Sequence, residues 1–308
     1  MADPIISICV PTYNRKKKLK RLLGSIKSDH ECKVEVVIVD DGSSDNTSDY
    51  CRRLITDFRL VLIQQKNQGR SSALSGAIKN ASGKFIIIMD SDDRFVERAI
   101  DDVLETIAKY EHIVSDPKIC GFVFTCVDEN NNILGNNFKK NGVNNFLRYR
   151  ADERVRGDKK EVVKSSLLKS VLYRPFDGEP RMPTSIMWNR LARKYDVYTL
   201  RSPLVVKEYL KGGMTKKSQE LRLMSIRSTL LYYEECLSDF GIQYKSLSYG
   251  IRIAANYTRY CWHDRSFTLR PLLNLTIPQM VVLLLSVPTG TLLFLNDILG
   301  IRKISQSF

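Results

Sequence analysis

A chain of 308 residues with 43% hydrophobic side chains can bury a sizeable core, which excludes a disordered or collagen-like protein. A net charge of +14 favours polyanionic partners (nucleic acid, anionic lipid, phosphorylated substrates) without choosing among them. Seven scattered cysteines at 9, 32, 51, 120, 126, 236 and 261 include no CxxC pair, which argues against zinc ligation and a disulfide framework and for a reducing compartment.

In chain order, residues 1–15 show no charged start followed by an apolar stretch, so cytosolic synthesis without export is expected. Ile5 to Val10 is a short β-rich run closed by Pro11. Residues 15–27 then place Leu19, Leu22, Leu23 and Ile26 at helical spacing. Val34 to Val39 reads as a buried strand, Asn46 to Asp57 as a helix, Leu60 to Gln64 as a strand and Ser71 to Ala81 as a helix. Phe85 to Met89 is a fourth strand ending at Asp90. Continuous apolar runs alternating with amphipathic helices predict βαβ units and a mostly parallel central sheet, whose ligands bind beyond the carboxyl ends of the strands.

Beyond about residue 115 the pattern loosens. Cys120 to Val127 suggests a further strand and Asn130 to Asn132 a turn. Residues 139–174 hold 11 basic against 4 acidic side chains, and the part after Asp158 reads as partly helical. Thr184 to Tyr195, Gln219 to Phe240 and Tyr244 to Tyr260 have helical spacing. Gly212 to Lys217 looks like a mobile loop, with Lys216 or Lys217 available to a diphosphate. Pro271 to Asn296 contains 26 residues without a formal charge, interrupted by Pro278, Pro288 and Gly290. Short helices lying in a membrane face, beside the basic excess of this third, are the expectation. A spanning helix and a buried or homodimeric contact are the alternatives. These segments divide the chain into 1–215, the α/β region with a second part from about 115, and 216–308, a helical region with an apolar tail at 271–299.

The strand ends carry the chemistry. Asp90 and Asp92 flank Ser91 directly after an apolar strand, where two carboxylates can approach one hard cation, Mn2+ or Mg2+, that also takes phosphate oxygens. The same residues could instead cap a helix before Phe95-Val96-Glu97. Asp40-Asp41-Gly42 follows the second strand, with aspartates able to accept from a base N–H or a ribose hydroxyl, or else to hold a turn. Pro11, Thr12 and Tyr13 close the first strand with a rigid turn and an aromatic ring suited to stacking on a base. Asn67, Gly69 and Arg70 open a helix whose N–H groups suit an anion.

The set VPTYNR, VDDGSSDNT, KNQGRSSAL and MDSDD, in that order and spacing over about residues 4–110, resembles the family 2 glycosyltransferases of the GT-A (Rossmann-like) fold. The resemblance implies an inverting, metal-dependent transferase using a nucleotide-sugar, most often a UDP-sugar. It implies that Pro11, Thr12, Tyr13 and one or both of Asp40 and Asp41 hold uridine, that Arg70 lies near the base or diphosphate, and that Asp90 and Asp92 serve ribose or metal. Many relatives have an acidic base just before the helix that holds Trp188; Thr184 stands at that position. Glu179 is the preferred substitute, with Asp177 next. The resulting expectation is an enzyme peripheral to the inner face of the cell membrane, with an α/β domain and a helical membrane-associating extension. It would move a sugar to a lipid-linked or cell-surface glycan. The alternatives are transfer to a lipid phosphate or protein, or an impaired nucleotide-binding or nucleic-acid-binding module; no nucleic-acid partner is expected.

Overall fold

The computed structural model describes residues 3–30, 33–208, 218–264 and 275–299. In chain order these form β1 (Ile6–Thr12), α1 (Lys16–Gly24), β2 (Val34–Asp40), α2 (Thr47–Arg53), β3 (Arg59–Gln64), α3 (Arg70–Asn80), β4 (Phe85–Ile88), β5 (Arg94–Phe95), α4 (Ala99–Lys109) and α5 (Glu111–Val114). They continue with β6 (Ile119–Val127), β7 (Gly142–Asn144), α6 (Phe146–Ala151), β8 (Lys159–Lys164), α7 (Ser165–Ser170), α8 (Ser185–Ala192) and β9 (Asp196–Val206). The last described residues form α9 (Ser218–Met224), α10 (Ile226–Ser238), α11 (Leu247–Asp264) and α12 (Ile277–Ile298).

One sheet runs β3-β2-β1-β4-β8-β6-β9-β5, with β7 also on β9. The first four strands pair in parallel, as the βαβ pattern predicts. Register sets Thr12 opposite Asp40 and Asp40 opposite Gln64, so the strand ends lie level at one rim. Every residue of β1 and β2 is buried, because side chains of both faces enter cores. Cys9, Val37, Val39 and Ile86 face one core with α3, α8 and α10. Ile8, Val10, Val36 and Ile38 face the other with α1 and α4. Tyr233, Ile253, Tyr257, Val282 and Leu283 of the C-terminal helices join the first of these cores, so apolar contact runs unbroken from sheet to tail.

Two expectations are corrected and one is completed. The stretch after Asp158 is partly helical, as α7, but begins as a strand: β8 runs antiparallel between β4 and β6, and its Lys159 and Lys160 are buried. The Lys160 ammonium reaches the Ile88 carbonyl at 2.8 Å, which keeps a hydrogen-bonding partner for a charge within the sheet. The 219–240 helix is two helices meeting at Ser225. The tail, expected as short helices, is one helix of 22 residues in α12. Thr276 and Gln279 form a capping box there, and Pro278 falls in the first turn, where its missing N–H has no helical acceptor to lose. Pro288 removes a single bond from the interior and does not end the helix. Gly290 lets α12 approach α11 so closely that an added Cβ would stand 2.5 Å from the Ala255 carbonyl oxygen. Among the described residues α12 alone is long and apolar enough to cross a membrane, yet only one of its faces is free. The opposite face packs on α11. Asp297 is hydrogen-bonded there to Arg259 at 2.5 and 2.6 Å and to His263 at 2.9 Å. The Gly212 to Lys217 loop and residues 271–274 lie outside the described residues.

Candidate active site

Four loops meet at the rim, each tied to the next. Asn14, after β1, donates its backbone N–H to Ser43 Oγ and accepts from the Ser44 N–H, both at 2.8 Å. Asp41, after β2, accepts from the N–H groups of Gln68 and Gly69 at 2.9 Å and from Gln65 Nε2 at 2.6 Å. Arg70, opening α3, donates to Asp90 Oδ1 from Nε at 2.8 Å and from Nη2 at 2.5 Å. Asp92 closes the ring by pairing with Arg15, just after β1. Gly42 and Gly69 are required by this closeness. Each has positive φ, and a Cβ on Gly69 would meet the Pro180 carbonyl oxygen at 2.9 Å.

The predicted residues divide by burial. Tyr13 is 46% exposed at the rim, open to stack on a flat ligand. Thr12 beside it is 3% exposed, and its Oγ1 is buried with no hydrogen-bond partner among the described residues. Pro11 is buried in β1 and Asn67 is exposed. Asp40 is 1% exposed, with one oxygen on the Ser43 N–H and the other on the Ser48 hydroxyl. It holds its own turn and presents no free edge. Asp41, bound to the next loop, keeps acceptor capacity on Oδ2. Ser91 is buried beneath the two aspartates.

Charge at the fourth strand end is densely compensated. Burial opposes the charge on Asp90, but Arg70, Lys207 and Lys160 hold its carboxyl far below the usual carboxylate range. Burial raises Asp93 in spite of Lys207 and Lys160. Lys207, the first residue after β9, stands 2.9 Å from Asp93, 3.6 Å from Asp90 and 3.7 Å from Asp158. Burial disfavours its ammonium, yet those three acids push its pKa well above the usual lysine value. Arg15, Lys160 and Lys207 were not foreseen as site residues. Lys207 had a signal, since it ends an apolar strand at the same rim, and Arg15 directly follows the Tyr13-Asn14 turn.

The donor set suits a hard cation that shares its coordination with a diphosphate. Asp90 and Asp92 offer carboxylate oxygens at one rim, while no group of three or more His, Cys, Asp or Glu is arranged to hold a metal among the described residues. Both aspartates are now neutralised by arginine or lysine.

The loop before α8 carries both candidates for the base. Glu179, the preferred candidate, caps α10: one oxygen accepts from the Arg227 N–H at 2.8 Å, the other from the Ser228 N–H at 2.9 Å and the Ser228 hydroxyl at 2.5 Å. A buried carboxylate committed to a helix N-terminus is poorly placed to take an acceptor proton. Asp177 is exposed. Thr184 reaches the rim with its Oγ1 3.5 Å from Arg70 Nη1, and Pro180 reaches it at Gly69.

Comparisons with known proteins agree with this layout. The profile of Glycosyl transferase family 2 matches residues 7–160. GlyA of Streptococcus pneumoniae, named a glycosyltransferase, is 31% identical over 112 residues, 36% of this chain but 16% of its own length. This chain thus spans under a fifth of the first curated relatives it matches. The GalNAc(5)-diNAcBac-PP-undecaprenol beta-1,3-glucosyltransferase of Campylobacter jejuni is 22% identical across 92% of this chain and 94% of its own. Among solved structures, S. aureus TarS with UDP-GlcNAc has a TM-score of 0.59 at 17% identity, covering 92% of this chain and 80% of that one. PcManGT of Pyrobaculum calidifontis, a mannosyltransferase solved with GDP-Man and Mn2+, has a TM-score of 0.56 at 19% identity, covering 96% and 88%. With the family profile on half its length and the four motif loops joined in one ring, the chain belongs to glycosyl transferase family 2.

Proposed function

We propose that the chain transfers a sugar, with inversion, from a nucleoside diphosphate sugar to a hydroxyl of a lipid-linked glycan at the inner face of a membrane. A UDP-sugar is the preferred donor. The observation that carries this reading is the closed ring of loops: a stacking ring, an unsatisfied buried hydroxyl, two carboxylates and three cations surround one rim. That inventory suits a base, a ribose and a diphosphate together.

Tyr13 and Thr12 bind the base, with Asp41 setting the loop that frames it. Arg15, Arg70 and Lys207 turn from their aspartates to the diphosphate, offsetting charge that grows on the leaving oxygen. Asp90 and Asp92 would hold Mn2+ or Mg2+, whose chemistry is to stabilise that same charge. The bond between the sugar C1 and the phosphate oxygen breaks, its electrons remaining on the nucleoside diphosphate. The acceptor oxygen bonds C1 from the opposite side and yields its proton to a base. Asp177 is assigned that role, because Glu179 is engaged by α10.

Support for the acceptor class is twofold. The Campylobacter relative that aligns along nearly the full chain is named for an undecaprenyl-diphosphate-linked acceptor. In this chain, α12 leaves Leu284, Leu285, Leu292 and Ile298 exposed along one face, which suits a helix lying in the lipid interface. The excess of basic over acidic residues in 201–308, 14 against 7, favours an anionic surface. The apolar face could alternatively hold a second copy of the chain.

A panel of nucleotide-sugars, screened with Mn2+ or Mg2+ for thermal stabilisation and nucleoside diphosphate release, tests the reading. One UDP-sugar should raise the melting temperature with its concentration and be turned over only with metal. Binding without turnover on any acceptor would make the chain a nucleotide-binding module, and no binding at all would refute the proposal.

A further inference from the structure

The loop that brings Thr184 to the rim has a second face. Arg181 and Ser185 line a cavity of about 110 Å³ there, closed on the other side by Arg222 of α9 and by Ser225, Thr229 and Tyr233 of α10. A single water occupies roughly 30 Å³, so the space admits a larger group. Its lining residues include two arginines and no acidic residue. Glu179, only two residues from Arg181, is turned away onto the α10 backbone. Burial, and after it Arg222 and Arg70, depress the Arg181 pKa, the mark of positive charge without full compensation. The walls are held in place: Ser225 Oγ accepts from the Arg181 N–H at 3.1 Å, and Thr229 Oγ1 donates to the Arg222 carbonyl at 3.0 Å. Two arginines on backbone held in place, beside the Ser225 and Ser185 hydroxyls, suit the oxygens of a phosphate.

The cavity's place in the chain favours the acceptor over the donor. On one side it adjoins Thr184, 3.5 Å from Arg70 and so from the reacting rim. On the other, Gln219 of α9 donates to Asp297 of α12 at 2.5 Å, which ties the Arg222 helix to the helix with the free apolar face.

We propose that Arg181 and Arg222 form a phosphate subsite that holds the diphosphate of a lipid-linked acceptor between α12 and the reaction rim. This subsite rests on the transferase reading above and gives the acceptor its chemical class: a prenyl diphosphate glycoside.

The test uses the full chain in detergent, with geranyl diphosphate and geraniol as probes and UDP with Mn2+ as a separate titration. Geranyl diphosphate should bind while UDP is bound, and geraniol should bind much more weakly. Arg181→Ala and Arg222→Ala should each weaken geranyl diphosphate at least about tenfold while UDP affinity is kept. Arg181→Lys should recover part of the loss. Ser185→Asp adds a carboxylate at the first position of α8, where an acid suits the helix, and should abolish diphosphate binding without unfolding the protein. Competition between UDP and geranyl diphosphate would assign the arginines to the donor and overturn the proposal. Unchanged affinity in Arg181→Ala and Ser185→Asp would overturn it as well. Failure of wild-type protein to bind UDP at all would strike the transferase reading instead, so the two failures are distinct.

Discussion

The two sides of the rim, proposed above as the donor and acceptor sides, are built differently. On the donor side, functional groups sit on backbone that the sheet register has already placed: Thr12, Asp40 and Gln64 are level because β1, β2 and β3 pair in parallel. On the acceptor side, the 176–185 loop carries its groups wherever later helices draw them. Glu179 goes to the first turn of α10, Arg181 to the cavity against α9, and Thr184 to Arg70. A strand end thus fixes the direction of its chemistry locally, whereas a loop between helices acquires a role only from long-range packing.

The strongest way to break this contrast is at the donor side. Asp92→Ala should lower kcat/KM for the nucleotide-sugar by a factor of about 10²–10³ while leaving the fold intact, because it removes a carboxylate that serves charge development and leaves the sheet register alone. Steady-state nucleoside diphosphate release measures it; a loss below about tenfold would place the cation elsewhere.

The next effect should appear as stability in the C-terminal helices. Asp297→Asn leaves Arg259, its side chain 8% exposed, without a counter-charge and should destabilise the protein by about 3 kcal/mol in urea unfolding. Burial opposes ionisation of Asp297, but hydrogen bonds from Arg259 and His263 hold its carboxyl below the usual aspartate value. A lowered folded pKa gives stability that is present above the unfolded value, about 3.9, and lost as pH falls through the folded one. The wild-type protein should therefore lose α11–α12 stability below about pH 4, with a shallower slope in the variant. Equal slopes in the two proteins would remove Asp297 from the lock.

A paired substitution sharpens the acceptor side. Asp177→Asn should reduce kcat about 10²-fold with donor KM unchanged, as expected for loss of a general base. Glu179→Gln should cost about 1 kcal/mol through the weakened α10 N-terminus and leave kcat nearly intact. The opposite pattern would restore Glu179 as the base.

The donor half was readable for a physical reason. Buried strands of β-branched residues announce themselves as runs, and polar residues directly after them lie at a common rim in any parallel sheet. Asp90 stands out on that basis and Arg70 as the residue opening the next helix, and the structure joins them. Burial reversed other expectations. Lys159 and Lys160 look like a solvated basic run, yet β8 buries both and aims Lys160 at the end of β4. Asp40 and Asp41 are equivalent in a string of letters, but only the structure shows one closing its own turn and the other holding Gly69. Pro278 and Pro288 suggested breaks in the tail, because their cost depends on position within a helix whose start could not be read until the Thr276 cap was known.

The smallest effect concerns the membrane face. Leu284 and Leu285 are 65% and 69% exposed, so replacing both with Asp should leave the fold and donor hydrolysis unchanged. Flotation with anionic vesicles should fall at least about tenfold. Undiminished flotation would shift attention to the basic surface alone.

The most direct measurement of the central claim, that four loops converge on one diphosphate site, is calorimetric titration of UDP with and without Mn2+. The wild-type protein should bind UDP more tightly with Mn2+, and Asp92→Asn should lose that gain while keeping the metal-free affinity. UDP binding that ignores Mn2+ in the wild type, or a metal gain that survives Asp92→Asn, would contradict it.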